Sequence, residues 1–261
     1  AFHRQSSPFD GMPHFDMLPS ARKLWSKRES AFDLVAADGS SSCSLSTLER
    51  DVLGFHRVGD VPGFEIPARY FQFLRTGDHR LLDGVLDHHR HDIVSLAVLM
   101  SHGLRLVEHG PDMCRSDHEV VALGQIYERA GDLARAMAAY ERASTASDRY
   151  VRAHAFSRMG LLHRRSSRHD EAARAWQGVL EAAGGRRSLF RLERMATEAL
   201  AIHHEHRAND LDAAKQFAES MKKQVSGRAA TEASHRLARL ERKLGDRKLS
   251  GEKKKGGSKA A

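Results

Sequence analysis

Leu86-Asp87-His88-His89-Arg90-His91-Asp92-Ile93-Val94-Ser95-Leu96 sets a histidine and an aspartate four positions apart, just before an apolar run. Four residues is close to one turn of an α-helix, so the spacing predicts a helix with His88 and Asp92 side by side on one face. The apolar pattern carries that helix from about Leu81 to Val107, where Gly110-Pro111-Asp112 breaks it. An imidazole beside a carboxylate suits a metal-dependent hydrolase: the carboxylate holds a divalent cation and the imidazole activates water. The same pair also describes an ion pair on a solvated helix, and spacing alone does not separate the two readings.

Working outward, residues 1–45 read as irregular, with Pro8, Pro13, Pro19 and the stretch Gly39-Ser40-Ser41-Ser42. Within them His14-Phe15-Asp16-Met17-Leu18 is the candidate buried strand, and Ala21–Trp25 a brief helix. Ser46 opens a short helix that stops at Gly54. Ile66 to Leu74 is a second helix with Pro67 in its first turn, closed by Thr76-Gly77-Asp78.

Downstream the sequence repeats. Leu123-Gly124-Gln125-Ile126-Tyr127 leads to Ala136 and Tyr140, and Met159-Gly160-Leu161-Leu162-His163 leads to Ala172 and Trp176. Ala201, His204, Ala213 and Phe217 repeat the spacing a third time. The glycines of the first two units lie 36 residues apart. This resembles the tetratricopeptide repeat, whose period is about 34 residues. Thr231 to Leu244 is expected to cap the open end of the array.

The chain has 261 residues, 29% of them charged, and a net charge of +8. Its mean hydropathy is −0.53 and its isoelectric point about 9.7. No apolar run approaches the roughly 18 residues that cross a bilayer. The polar opening Ala1-Phe2-His3-Arg4-Gln5 lacks the apolar centre of a secretory signal. Two widely separated cysteines, Cys43 and Cys114, argue against a disulfide framework, so a cytoplasmic protein with no membrane partner is expected. The positive charge permits nucleic-acid binding without establishing it. Part of it lies in a Gly/Ser-containing tail with Lys253, Lys254, Lys255 and Lys259, expected to be disordered.

Three further stretches identify a family: Cys43-Ser44-Leu45-Ser46-Thr47-Leu48-Glu49-Arg50-Asp51-Val52-Leu53-Gly54-Phe55, Asp60-Val61-Pro62-Gly63-Phe64-Glu65-Ile66-Pro67, and Tyr70-Phe71-Gln72-Phe73-Leu74-Arg75-Thr76-Gly77-Asp78. Together with His88 to Asp92, and in this order, they resemble the YprB-like ribonuclease H-like family, related to the DnaQ-type DEDD exonucleases. The resemblance covers about residues 10–107. It implies an α/β ribonuclease H-like domain and a nuclease in which four acidic residues hold two Mg²⁺ or Mn²⁺ ions. Asp92 matches the last of those carboxylates, a metal ligand, and His88 the general base. Arg90 is the candidate phosphate contact, although an exposed arginine beside an acidic residue is the commoner case.

The family's first motif, Asp-x-Glu, and its second, a helical Asp, have no match in this chain. Asp10 and Asp16 are the early acidic candidates, and Asp16 matches a residue that is not a ligand. An N-terminally truncated sequence is therefore expected, inactive alone, since one carboxylate and one histidine cannot hold two divalent cations.

The reading from sequence is an α/β ribonuclease H-like part over 1–111, an all-α repeat over 112–246 and a basic tail over 247–261, mostly helical overall. The resemblance implies 3′–5′ exonuclease-like hydrolysis of DNA or RNA in the full-length protein, with the repeats recruiting a protein partner or holding substrate. The alternative is a non-catalytic repeat scaffold with a nuclease remnant. His203-His204-Glu205-His206 reads as repeat packing rather than a metal site, and the arginines from Arg158 to Arg194 as a solvated surface.

Overall fold

The computed structural model describes residues 11–13, 15–26, 43–224 and 228–257, and every regular element among them is helical. The chain divides into two compact units, Ala1–Met113 and Cys114–Ala261. The α/β expectation is corrected: there is no strand or sheet among the described residues. The stretch expected as a buried strand instead opens helix α1 (Met17–Trp25), while His14 lies outside the described residues. Asp16 is the N-cap, its Oδ1 accepting from the Leu18 N–H at 2.9 Å. That bond satisfies one of the free amides at a helix start. A strand here has no partner among the described residues to take its backbone groups.

In the first unit, α2 (Leu45–Leu48) starts at Ser44, whose hydroxyl accepts from the Thr47 N–H. It runs directly into one wide π-helical turn, Glu49–Leu53, which ends at Gly54 in the left-handed region (φ 68°). Helix α3 (Ile66–Thr76) follows, then the long α4 (Arg80–His109). One stripe of α4 is buried: Ser95, Leu99, Gly103 and Leu106. Leu99 packs with Ala21, Leu48 and Val52, and Trp25 closes over the group. The other faces leave Leu86, Ile93, Val94, Leu96 and Leu104 exposed.

The second unit stacks helices in chain order: α5 (Asp117–Ala130) on α6 (Leu133–Ala143), α7 (Arg149–Arg165) on α8 (His169–Ala183), and α9 (Phe190–His206) on α10 (Leu211–Gln224). Each of the first two pairs closes by seating a ring on a glycine. A Cβ at Gly124 would stand 2.6 Å from the Tyr140 ring, and one at Gly160 2.7 Å from Trp176. In the third pair the His204 ring stacks on Phe217 with centroids 5.4 Å apart. Tyr140 and Trp176 are buried, so neither presents a face to a nucleic-acid base.

Buried charges tie successive pairs together. Glu128 accepts from the Tyr140 hydroxyl, Arg158 Nε and Arg165 Nη1, each at 3.0 Å. Two arginines of the basic stretch are thus used internally. Glu205 accepts from Arg239 Nε (2.9 Å) and Nη2 (2.7 Å) and from Lys243 Nζ (2.9 Å), which docks α11 (Arg228–Gly257). Helix α11 runs on to Gly257, into the stretch expected as a tail.

Two outcomes follow from this packing. Gly124→Ala should destabilise the second unit by about 1–3 kcal/mol, because the added methyl overpacks against an enclosed ring. A lower urea midpoint checks it. Glu205 supplies the second. Burial pushes its carboxyl up, but the bonds from Arg239 and Lys243 outweigh burial and hold it at about 2. The unfolded carboxyl, near about 4.3, binds its proton more tightly, so Glu205 contributes stability above that pH and loses it as pH falls towards the native value. The stability gap between wild type and Glu205→Gln should therefore be full above about pH 5 and shrink steadily below about pH 4.

Candidate active site

Gly84, His88 and Asp92 lie at four-residue spacing on one face of α4, continuous with its buried stripe. Gly84 is what lets the preceding loop reach that face. A Cβ there would stand 2.7 Å from Val61 Cγ2, so only glycine admits the buried Val61 against the helix. With Val61 anchored, Arg57 and Asp60 arrive over His88 and Asp92. The π turn delivers the last member. Its extra residue carries Glu49 inward, and the Phe55 N–H closes it by bonding to the Glu49 carbonyl at 2.9 Å.

These five side chains form one connected cluster. Arg57 Nε donates to Glu49 Oε2 at 2.7 Å, and Nη2 donates to Glu49 Oε1 at 2.6 Å and to Asp92 Oδ1 at 2.7 Å. Nη1 donates to Asp60 Oδ2 at 3.0 Å. His88 Nδ1 lies 2.9 Å from Asp60 Oδ1, and its Nε2 lies 3.4 Å from Asp92 Oδ2. The Arg57 side chain is 9% exposed and that of Glu49 only 1%, whereas Asp92 keeps 32%. The cluster is thus rooted in the interior and open to water at Asp92.

The electrostatics follow the bonding. The fork to Glu49 raises the Arg57 guanidinium further above its usual range, against the opposing effect of burial, with Asp92 and Asp60 adding to it. Burial pushes the Asp60 carboxyl up, but hydrogen bonds from His88 and Arg57 outweigh it and hold it below the usual carboxylate range.

Of the residues expected from sequence, His88 and Asp92 meet. Arg90 does not join them: its side chain is 68% exposed and pairs with Asp87 at 3.2 Å. Two positions along a helix is more than half a turn, which puts Arg90 on another face. Glu49, Arg57 and Asp60 escaped the sequence reading. Glu49 and Asp60 fall inside the family-like stretches but without an assigned role, and Arg57 falls between two of them. Nothing local singled Glu49 out, since Arg50 and Asp51 follow it directly.

As arranged, these residues do not fit Mg²⁺ or Mn²⁺. No three His, Cys, Asp or Glu side chains among the described residues are placed to hold a metal ion. Every carboxylate of the cluster turns an oxygen to the Arg57 guanidinium instead.

Comparison with known proteins agrees on the first unit. Residues 2–103 match the family model described as the RNase_H superfamily. The chain is also similar to the uncharacterized protein YprB of Bacillus subtilis (strain 168), with 29% identity over 233 residues. That alignment takes in 88% of this chain and 52% of the relative, so the chain spans about half the relative's length. No helix among the described residues is long and apolar enough to cross a membrane.

Glu49→Gln should lower the stability of the first unit by about 3 kcal/mol, because it leaves a buried guanidinium short of a charge. The expected readout is earlier loss of the amide signals of α2 and the π turn in a denaturant series, with the second unit unchanged.

Proposed function

We propose that this chain belongs to a nuclease-like hydrolase that cleaves phosphodiester bonds in DNA or RNA, with His88 taking the proton from the attacking water. The observation that carries this reading is the line Asp60–His88–Asp92. With its proton on Nδ1, the imidazole donates to Asp60, which fixes the ring and leaves Nε2 with a free lone pair. Nε2 and Asp92 Oδ2, two acceptors 3.4 Å apart, together can orient a water that donates to both. The similarity of residues 2–103 to the RNase_H superfamily supports the substrate class. The finer reading is 3′–5′ exonucleolytic cleavage by the full-length protein, which would draw on acidic residues beyond this cluster for its divalent cations. The stacked helices of the second unit, read as tetratricopeptide-like, serve as the surface that recruits a protein partner or holds the strand.

One observation favours the alternative, a non-catalytic repeat scaffold. Arg57 engages the oxygens that the chemistry would need, which is also how a nuclease remnant would be arranged.

Cleavage of labelled single-stranded DNA and RNA separates the two. This chain alone should give no cleavage. The full-length protein should cleave, and His88→Ala should slow it by about 10²-fold or more, the usual worth of a general base. Asp92→Asn should slow it as well, with the fold retained by circular dichroism. A full-length protein that is inert on both substrates supports the scaffold.

A further inference from the structure

We propose that Arg57 is the resident cation of the carboxylate cluster: its guanidinium takes the oxygens of Glu49, Asp60 and Asp92 that a divalent cation would need, and so keeps this site metal-free. The inference goes beyond the nuclease reading and stands on the bonding around Arg57, so it holds or fails whether or not the protein cleaves nucleic acid.

Four of the guanidinium's five N–H donors are matched to carboxylate oxygens between 2.6 and 3.0 Å. The match uses the planar fork: Nε and Nη2 straddle Glu49, and the outer donors spread to Asp92 and Asp60. A point charge such as lysine cannot reach all three carboxylates this way. A divalent cation needs several oxygens at close range and must shed water to take them. Here each carboxylate already has a charged partner tethered in the same chain and largely withdrawn from solvent. The tether is stiff at both ends. Val61, four residues on from Arg57, is locked against Gly84, and Glu49 sits in the π turn closed by the Phe55 amide.

The same contacts make Arg57 a positioning residue for the couple on α4. It holds Asp92 by Oδ1, leaving Oδ2 toward His88, and holds Asp60 by Oδ2, leaving Oδ1 toward His88 Nδ1. Each carboxylate is thus shared, one oxygen to the guanidinium and one to the imidazole. Removing Arg57 would free three carboxylates beside a histidine, a donor set suited to a divalent cation.

The test is a Mn²⁺ titration of the ¹⁵N-labelled chain, read as paramagnetic broadening of amide signals. In wild type the signals of residues 49, 57, 60, 88 and 92 should broaden no more than those of exposed acidic residues of the second unit such as Asp212. In Arg57→Met the same five should broaden selectively, at least about tenfold lower Mn²⁺, as expected when three carboxylates lose their resident cation. Selective broadening at these residues in wild type overturns the proposal, as does a folded Arg57→Met that shows none. Should Arg57→Met lose its dispersed spectrum, two wild-type signals still decide. Separate, slowly exchanging Nη protons of Arg57 at neutral pH support the clamp, and a single averaged signal overturns it.

Discussion

A guanidinium withdrawn from water has to meet its donors with carboxylates, and around Arg57 that requirement organises the first unit. The π turn of Glu49–Leu53 and the loop that ends at Val61 each reach α4 through an apolar contact, Val52 with Leu99 and Val61 against Gly84. Beside those contacts Glu49, Asp60 and Asp92 each bond the same group. The apolar core beside them is small: Leu99 with Ala21, Leu48 and Val52. The polar cluster and this core lie on one continuous face of α4, so whatever disturbs one disturbs the other.

The second unit meets the burial problem differently. Its first two helix pairs close by laying a ring on a glycine, Tyr140 on Gly124 and Trp176 on Gly160, while Glu128 and Glu205 bond across from one pair to the next element. Such a scheme extends by repetition and uses some of its arginines for cohesion. Arg158 and Arg165 are engaged with Glu128, and Arg239 with Glu205.

For function, the balance within the Arg57 cluster matters more than its membership. Three carboxylates and an imidazole describe a hydrolytic metal site on paper. With an arginine among them the same residues become an internally bonded cluster, in which His88 is held between two carboxylates and Asp92 is the most exposed member. The chemistry that remains is the orientation of an imidazole. The similarity to the RNase_H superfamily concerns residues 2–103 as a sequence, while the regular elements described in that segment are all helical.

Most of the helices, and the His88/Asp92 spacing on α4, were legible in the sequence because both are local. Spacing of four places two side chains on one helical turn, Pro67 and Gly77 bound α3, and the glycine-to-ring spacing of the repeats survives any arrangement of the chain around them. Tertiary structure alone decided the rest. Residues 15–18 became the approach and first turn of a helix because Asp16 caps it, where a strand would have needed a neighbour that no local pattern can supply. Glu49, Arg57 and Asp60 joined a site on α4 because Gly84 admits Val61 and a buried charge must be matched in space. The partners of Arg57 are separated from it by as many as 35 residues, and no periodicity within one element encodes such a meeting.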